Sequence, residues 1–230
     1  MNKLLDATCI GLTFLINIIY NLVLITMSMC KPHRVRHTLN QAARRAWTLD
    51  VIRSKRDILG VQTLRNSMMA ATLLASTSLT LSSLVAAYLY RIGDDAGLWS
   101  IWEQKPFMHP VFKLFILLCS FMVSFFSFMQ CLRSASTASF LIGLRENITE
   151  CSPDRVADIV QRSAMFYSIG SRAFIFSFVL LLWIFGSPAA LAGAIIGVVV
   201  HTINDFVLIP RVNEIHTPHF EEEVPDLSKC

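Results

Sequence analysis

The sequence predicts an all-α protein: an integral membrane helical bundle of about five transmembrane helices, with amphipathic helices on the cytosolic side. Three observations carry this reading. The chain is 54% hydrophobic and 16% charged, where soluble domains run to about 25% charged, and its mean hydropathy is +0.54. Apolar runs recur at the length of about 20 residues that a spanning helix needs. The segments between those runs alternate in basic content, as the positive-inside rule requires.

The elements follow in chain order. Residues 4–29 form an apolar run too long for the core of a signal peptide and without an A-x-A-like cleavage site, so they read as a retained span, with Asn17 and Asn21 embedded in it. Residues 38–56 place Leu39, Ala43, Ala46, Trp47 and Val51 on one helical face and basic residues on the other, the pattern of an interfacial helix. Residues 67–90 are a second span, and Gln62, Arg65 and Asn66 stand at its mouth. Residues 111–131 are a third, whose helical pattern runs on to 143; at roughly 50 Å such a helix outreaches the hydrocarbon, so its C-terminal part projects beyond it.

Ser152, Pro153 and Asp154 start a second non-spanning helix: an N-cap hydroxyl, a proline suited to the first turn and an acid that favours the helix dipole, followed by Val156, Ile159, Val160 and Ser163 at helical spacing. The last apolar region is interrupted at Gly186-Ser187-Pro188. Its halves, 173–185 and 189–200, are each short, but extension by 166–172 and 201–207 makes two full spans, the preferred reading. The alternative is three spans plus a re-entrant hairpin. Residues 1–207 then form a single transmembrane domain and 208–230 an acidic C-terminal tail, solvated and flexible.

Charge sets the expected orientation. Residues 31–57 carry eight Lys/Arg, residues 132–172 five Arg, and the intervening 91–110 only two. With the basic segments inside, the N-terminus lies outside or lumenal and the C-terminus is cytosolic. The sequon at Asn147 falls on the cytosolic side, where it stays unglycosylated.

The chemistry-bearing residues are few. Cys9, Cys30, Cys119, Cys131, Cys151 and Cys230 include no C-x-x-C pair, which argues against a disulfide framework or zinc site. No P-loop, G-x-S-x-G, G-x-G-x-x-G or H-E-x-x-H occurs, so the expectation is that the protein is not an enzyme and uses no cofactor. The candidate polar residues are Gln62, Arg65, Asn66, Arg172, His201 and Asp205. Gln62 and Asn66 share a helical face and are expected to bond across helices; Arg65 is expected to anchor its helix among lipid headgroups. His201 and Asp205 have the i, i+4 spacing of a ligand pair, but an ion pair of Asp205 with Arg65 or Arg172, placed at the same depth, is favoured over a metal. The Asn17/Asn21 pair reads as helix glue, with a polar pathway as the sharper option. Small-residue ridges at Ala189, Gly193 and Gly197 and along Ala71, Ala75, Ser78, Ser82 and Ala86 signal close packing, within the chain or between chains. Trp99, Trp102 and Trp183 suit the outer interfacial belt and Trp47 the inner one. The expected partners are the bilayer itself, anionic lipid headgroups at the basic segment 31–56, and membrane-protein partners or further copies of the chain; nucleic acid is not expected.

Three stretches resemble a known family. "ILGVQTLRNSMMAATLLASTSLTLSS" and "SIGSRAFIFSFVLLLWIFGSPA" are similar to two hallmarks of the membrane family catalogued as domain of unknown function 599, and "ARRAWTLDVI" to the element before the first hallmark. The resemblance implies a small multi-spanning membrane protein with no assigned reaction, and marks Arg44, Arg45, Trp47, Gln62, Arg65, Asn66, Gly170, Arg172, Trp183 and Gly186 as family-typical positions. Ser171 and the stretch starting at His201 depart from the family pattern. The expected function is that of a non-catalytic multi-pass membrane protein, a structural or accessory component of a membrane assembly. A small transporter or channel is the alternative, and a membrane enzyme acting on lipid follows behind it.

Overall fold

A computed structural model describes residues 3–30, 35–96, 110–143 and 152–205. Among them run six helices and no strand: α1 (Lys3–Cys30), α2 (Arg36–Arg53), α3 (Asp57–Ala96), α4 (Pro110–Ile142), α5 (Pro153–Phe185) and α6 (Ser187–Asp205). All but α2 are long and apolar enough to cross a membrane, so the described residues supply five candidate spans. The tail 208–230, Asn147, Trp99 and Trp102 lie outside the described residues.

The helices pack in the order α3, α4, α5, α6, α1, each mainly on its neighbours in that series, while α2 lies against α5 and α3. Neighbouring α3 and α4, and α4 and α5, are antiparallel. Lys113 at the start of α4 reaches the Trp183 carbonyl near the end of α5, and Ile142 at its end packs with Val156 near the start of α5. Helix α1 runs parallel to α6: Ile10 packs with Ala190, and Tyr20 bonds Asp205. The bundle therefore has a hinge end, where α5 turns into α6, and an α2 end. The described arginines of α2, with Arg133, Arg155 and Arg162, all sit toward the α2 end.

Two local choices fix the ends of α5. The Ser152 hydroxyl accepts a hydrogen bond from the Arg155 backbone N–H at 3.3 Å, with Pro153 in the first turn. At the other end Gly186 stands alone between α5 and α6, with φ 158° and ψ 157°, a backbone region open essentially to glycine. The helix expected to begin at Pro153 as a separate element is continuous with the fourth span. Nothing in "FYSIGSRAF" breaks it, because Gly170 costs only about 1 kcal/mol of helix propensity and is packed against α4.

Three buried clusters hold the bundle. At the hinge end Ile10, Leu117, Phe121, Leu180, Trp183 and Ala190 pack together; in the middle Ala71, Ala75, Phe128 and Cys131; at the α2 end Leu64, Ala138, Ile142, Val156 and Val160. Trp183 thus belongs to the core, 1% exposed, with Phe14 against its ring and the Lys113 ammonium 5.1 Å from the ring centre, where an interfacial belt position was expected. It packs inward because α1 and α6 close over it. The small-residue ridges serve folding within the chain: Ala71, Ala75, Ser78 and Ser82 are buried, and Gly193 and Gly197 face Leu182 and Val179 of α5. Ala86 is exposed instead.

Hydroxyls stitch α3, α4 and α5 where they approach closely. Ser78 and Ser124 lie 3.3 Å apart, Ser124 donates to the Gly170 carbonyl at 3.0 Å, Ser177 donates to Ser120 at 2.8 Å, and Ser163 donates to the Cys131 carbonyl at 3.0 Å. Gly170 permits this spacing, since a Cβ there would stand 3.0 Å from the Phe128 ring.

Helix α2 docks on the bundle through a mostly polar face that meets its apolar one at Val51. Gln41 accepts a hydrogen bond from Gln161 at 3.0 Å; Arg45 bonds Asp154 at 2.8 Å and also Asp158; Thr48 and Val51 are buried. Ala43 and Ala46 stay exposed, and Leu39 and Trp47 are half-buried. Polar groups on α5 at this level made the polar face of α2 the complementary one. The hydrogen bond to Asp158, then that carboxylate's charge, raise the pKa of the Arg45 guanidinium.

Candidate functional site

The main concentration of interacting polar side chains inside the spans joins α1, α5 and α6. Helical side chains lean toward the N-terminus of their own helix, so Arg172 reaches toward the α2 end of the bundle. There it meets Asp205, about 27 Å along α6 from the hinge. The Arg172 Nη2 donates to Asp205 Oδ2 at 2.8 Å, and the Tyr20 hydroxyl donates to the same oxygen at 2.6 Å. Arg172 Nη1 also donates to Asn21 Oδ1 at 3.3 Å. The Tyr20 ring stacks on His201, centroids 6.0 Å apart and planes 27° apart. The pair is largely withdrawn from the surface, with side-chain exposures of 21% for Arg172 and 12% for Asp205.

The amides of α1 are spent mostly on their own helix. Asn17 donates to the Thr13 carbonyl and Asn21 to the Asn17 carbonyl, at 2.9 and 2.8 Å. That leaves the Asn21 carbonyl oxygen free to face Arg172, so the glue role expected of this pair holds for Asn21. Beside the cluster a cavity of about 490 Å³ opens between α1 and α5. Arg172, Asn21 and His201 stand at its polar side, and Phe14, Ile18 and Phe176 are among its apolar walls.

Of the six residues singled out in the sequence, the fold brings Arg172, His201 and Asp205 together. It places Gln62, Arg65 and Asn66 elsewhere, on α3, all exposed. None of those three side chains bonds another described residue, so the expected cross-helix amide bonds do not form among the described residues, and Asp205 takes Arg172 as its partner. Sequence reasoning missed Tyr20. Its signal was the polar stripe Asn17-x-x-Tyr20-Asn21 on an otherwise apolar span. Among the described residues, no group of three or more His, Cys, Asp or Glu is arranged to hold a metal ion.

Gln62 and Arg65 belong to a continuous stripe, with Asn66 beside it. Ile58, Gln62, Arg65, Met69, Thr72, Ser76, Thr80, Ser83 and Ala87 recur at three- and four-residue steps and are all exposed, turned away from the buried face of Ala71, Ala75, Ser78 and Ser82. The hydroxyls of Thr72, Ser76, Thr80 and Ser83 bond to carbonyls of their own helix. The exposed face of α1 is built differently, from Leu12, Leu15, Ile18, Ile19, Leu22 and Val23. A third feature is a groove of about 470 Å³ at the α2 end, lined by Asn40, Arg44, Trp47, Thr63 and Ser67 among others.

A bundle of five candidate spans with a partly buried ion pair between its helices defines a multi-pass membrane protein. The chain belongs to the family described as "Protein of unknown function, DUF599", whose family model matches residues 8–208. No curated protein and no solved structure matches it.

Proposed function

We propose that this is a non-catalytic multi-pass membrane protein that serves as a structural or accessory component of a larger membrane assembly, docking a partner helix on the exposed stripe of α3. The observation that carries this reading is the contrast between the two outward faces. Bulky Leu, Ile and Val on α1 are what lipid tails accept, whereas on α3 the small residues Ser76, Thr80, Ser83 and Ala87 form a low ridge between exposed Leu73, Leu79 and Leu84 that lets another helix approach closely. Gln62, Arg65 and Asn66 at the end of that ridge offer donors to a carboxylate or backbone carbonyl on the partner. The basic α2 end faces the cytosol by the positive-inside rule, and the groove with Arg44 and Trp47 suits an anionic lipid headgroup.

The test is site-specific photo-crosslinking in native membranes. A photoreactive residue at Ser76 or Thr80 should give discrete adducts of higher mass, and one at Ile19 or Val23 should give none. Equal patterns at the two helices, or a strictly monodisperse lone chain in mild detergent, would remove this reading. The buried Arg172, Asp205 and Tyr20 cluster favours a second reading, a small transporter, because ionisable groups inside a span often line a substrate path. Flux through reconstituted vesicles that Asp205→Asn abolishes would support it.

A further inference from the structure

We infer that the cavity between α1 and α5 binds the acyl chain of an amphiphile, with the oxygen-bearing head of that molecule set against Arg172, Asn21 and His201. The cavity measures about 490 Å³, inside the range of about 300–1,000 Å³ that small-molecule sites occupy. It lies within the spans, so what fills it comes from the bilayer side. Ile18, Leu22 and Ile25 on its α1 wall are each about 60% exposed and offer no hydrogen bond, which disfavours water along that wall. Its polar side is unlike plain lipid-facing surface. A guanidinium carries five N–H groups, and the bonds from Arg172 to Asp205 and Asn21 engage two of its nitrogens. Hydrocarbon cannot satisfy the remaining donors, and a polar group left without a partner in such surroundings is destabilising.

An amphiphile meets both demands at once. Asp205 already balances the charge of Arg172, so the head need not be a strong anion; an ester carbonyl, carboxyl or phosphate oxygen suffices. The shared chemistry is an acyl chain ending in acceptor oxygens, which a bilayer phospholipid and a free fatty acid both provide. This site is separate from the α3 stripe and stands whether or not a partner docks there.

The experiment uses the full chain in nanodiscs of phosphatidylcholine and phosphatidylglycerol. One arm contains a phosphatidylglycerol with a diazirine in its acyl chain, the other a diazirine-tailed palmitic acid, and adducts are mapped by peptide mass spectrometry. In at least one arm, labelling should concentrate on Ile18, Leu22 and Phe176 and fall about tenfold in Ala173→Trp, which fills the groove without touching a charge. Which arm labels identifies the source. Should Ala173→Trp fail to fold, Ile18→Trp fills the groove from the other wall. Labelling spread evenly over Leu12, Leu15 and Ile19 and indifferent to either substitution would show bulk lipid only. Rapid reaction of Ile18→Cys with a membrane-impermeant maleimide, beyond that of the parent chain, would show a water-filled vestibule. Either result overturns the inference.

Discussion

Arg172 and Arg45 make ion pairs of the same length, 2.8 Å to Asp205 and 2.8 Å to Asp154, in opposite surroundings. The Arg45 pair is 39% and 68% exposed at the α2 end; the Arg172 pair is 21% and 12% exposed between three helices. At the surface, each charge has water as an alternative partner, and such a pair contributes about 0–1 kcal/mol. Between helices water is a scarce alternative, so breaking the pair leaves a charge without its counter-charge, while forming it only offsets its own desolvation. Equal geometry therefore carries unequal consequence: the inner pair dictates which helices can be neighbours, and the outer one trims how α2 sits.

Unfolding in mild detergent, followed thermally or by denaturant, can break this contrast or refine it. Asp205→Ala should cost about 3–5 kcal/mol, because Arg172 is left without its counter-charge. A loss below about 1 kcal/mol would put the two pairs on the same footing. Tyr20→Phe keeps the ring on His201 and removes one bond to Asp205, for about 1 kcal/mol. Replacing both partners, Arg172→Met with Asp205→Leu, should return the protein to within about 1 kcal/mol of its original stability, since the charges go together. A double variant as unstable as Asp205→Ala would show that the pair itself stabilises the bundle. Arg45→Ala should cost less than about 1 kcal/mol, and the difference should shrink toward 1 M salt, whereas the Asp205→Ala effect should not change with salt.

Much of this architecture was legible in the residues. Runs of about 20 apolar residues have few physical alternatives, so the spans followed from length, and Gly186-Ser187-Pro188 located the turn between α5 and α6. The Ser152 cap was visible for the same reason: a hydroxyl before a proline and an acid satisfies a local rule. What escaped the sequence depended on which faces meet. Arg65 and Arg172 were expected at one depth, but Leu64 packs with Ile142 and Val156 at the α2 end while Gly170 lies level with Ser124 and Ser78, about 20 Å further along α3, so only Arg172 meets Asp205. The face of α2 that docks on α5 was not legible, because its complement, Asp154, Asp158 and Gln161, lies more than a hundred residues away. Tyr20 looked like one more apolar position until α6 brought Asp205 to it.

The single residue between α5 and α6 has a consequence for how the chain enters the membrane. With only Gly186 to separate them, these two helices form a hairpin whose arms carry Arg172 and Asp205. A lone Arg or Asp costs about 2.5–3.5 kcal/mol to insert at the centre of a spanning helix and less toward its end, where Asp205 closes α6. A hairpin that enters as one unit presents the bilayer with a pair already neutralised, to which α1 adds Tyr20 and Asn21.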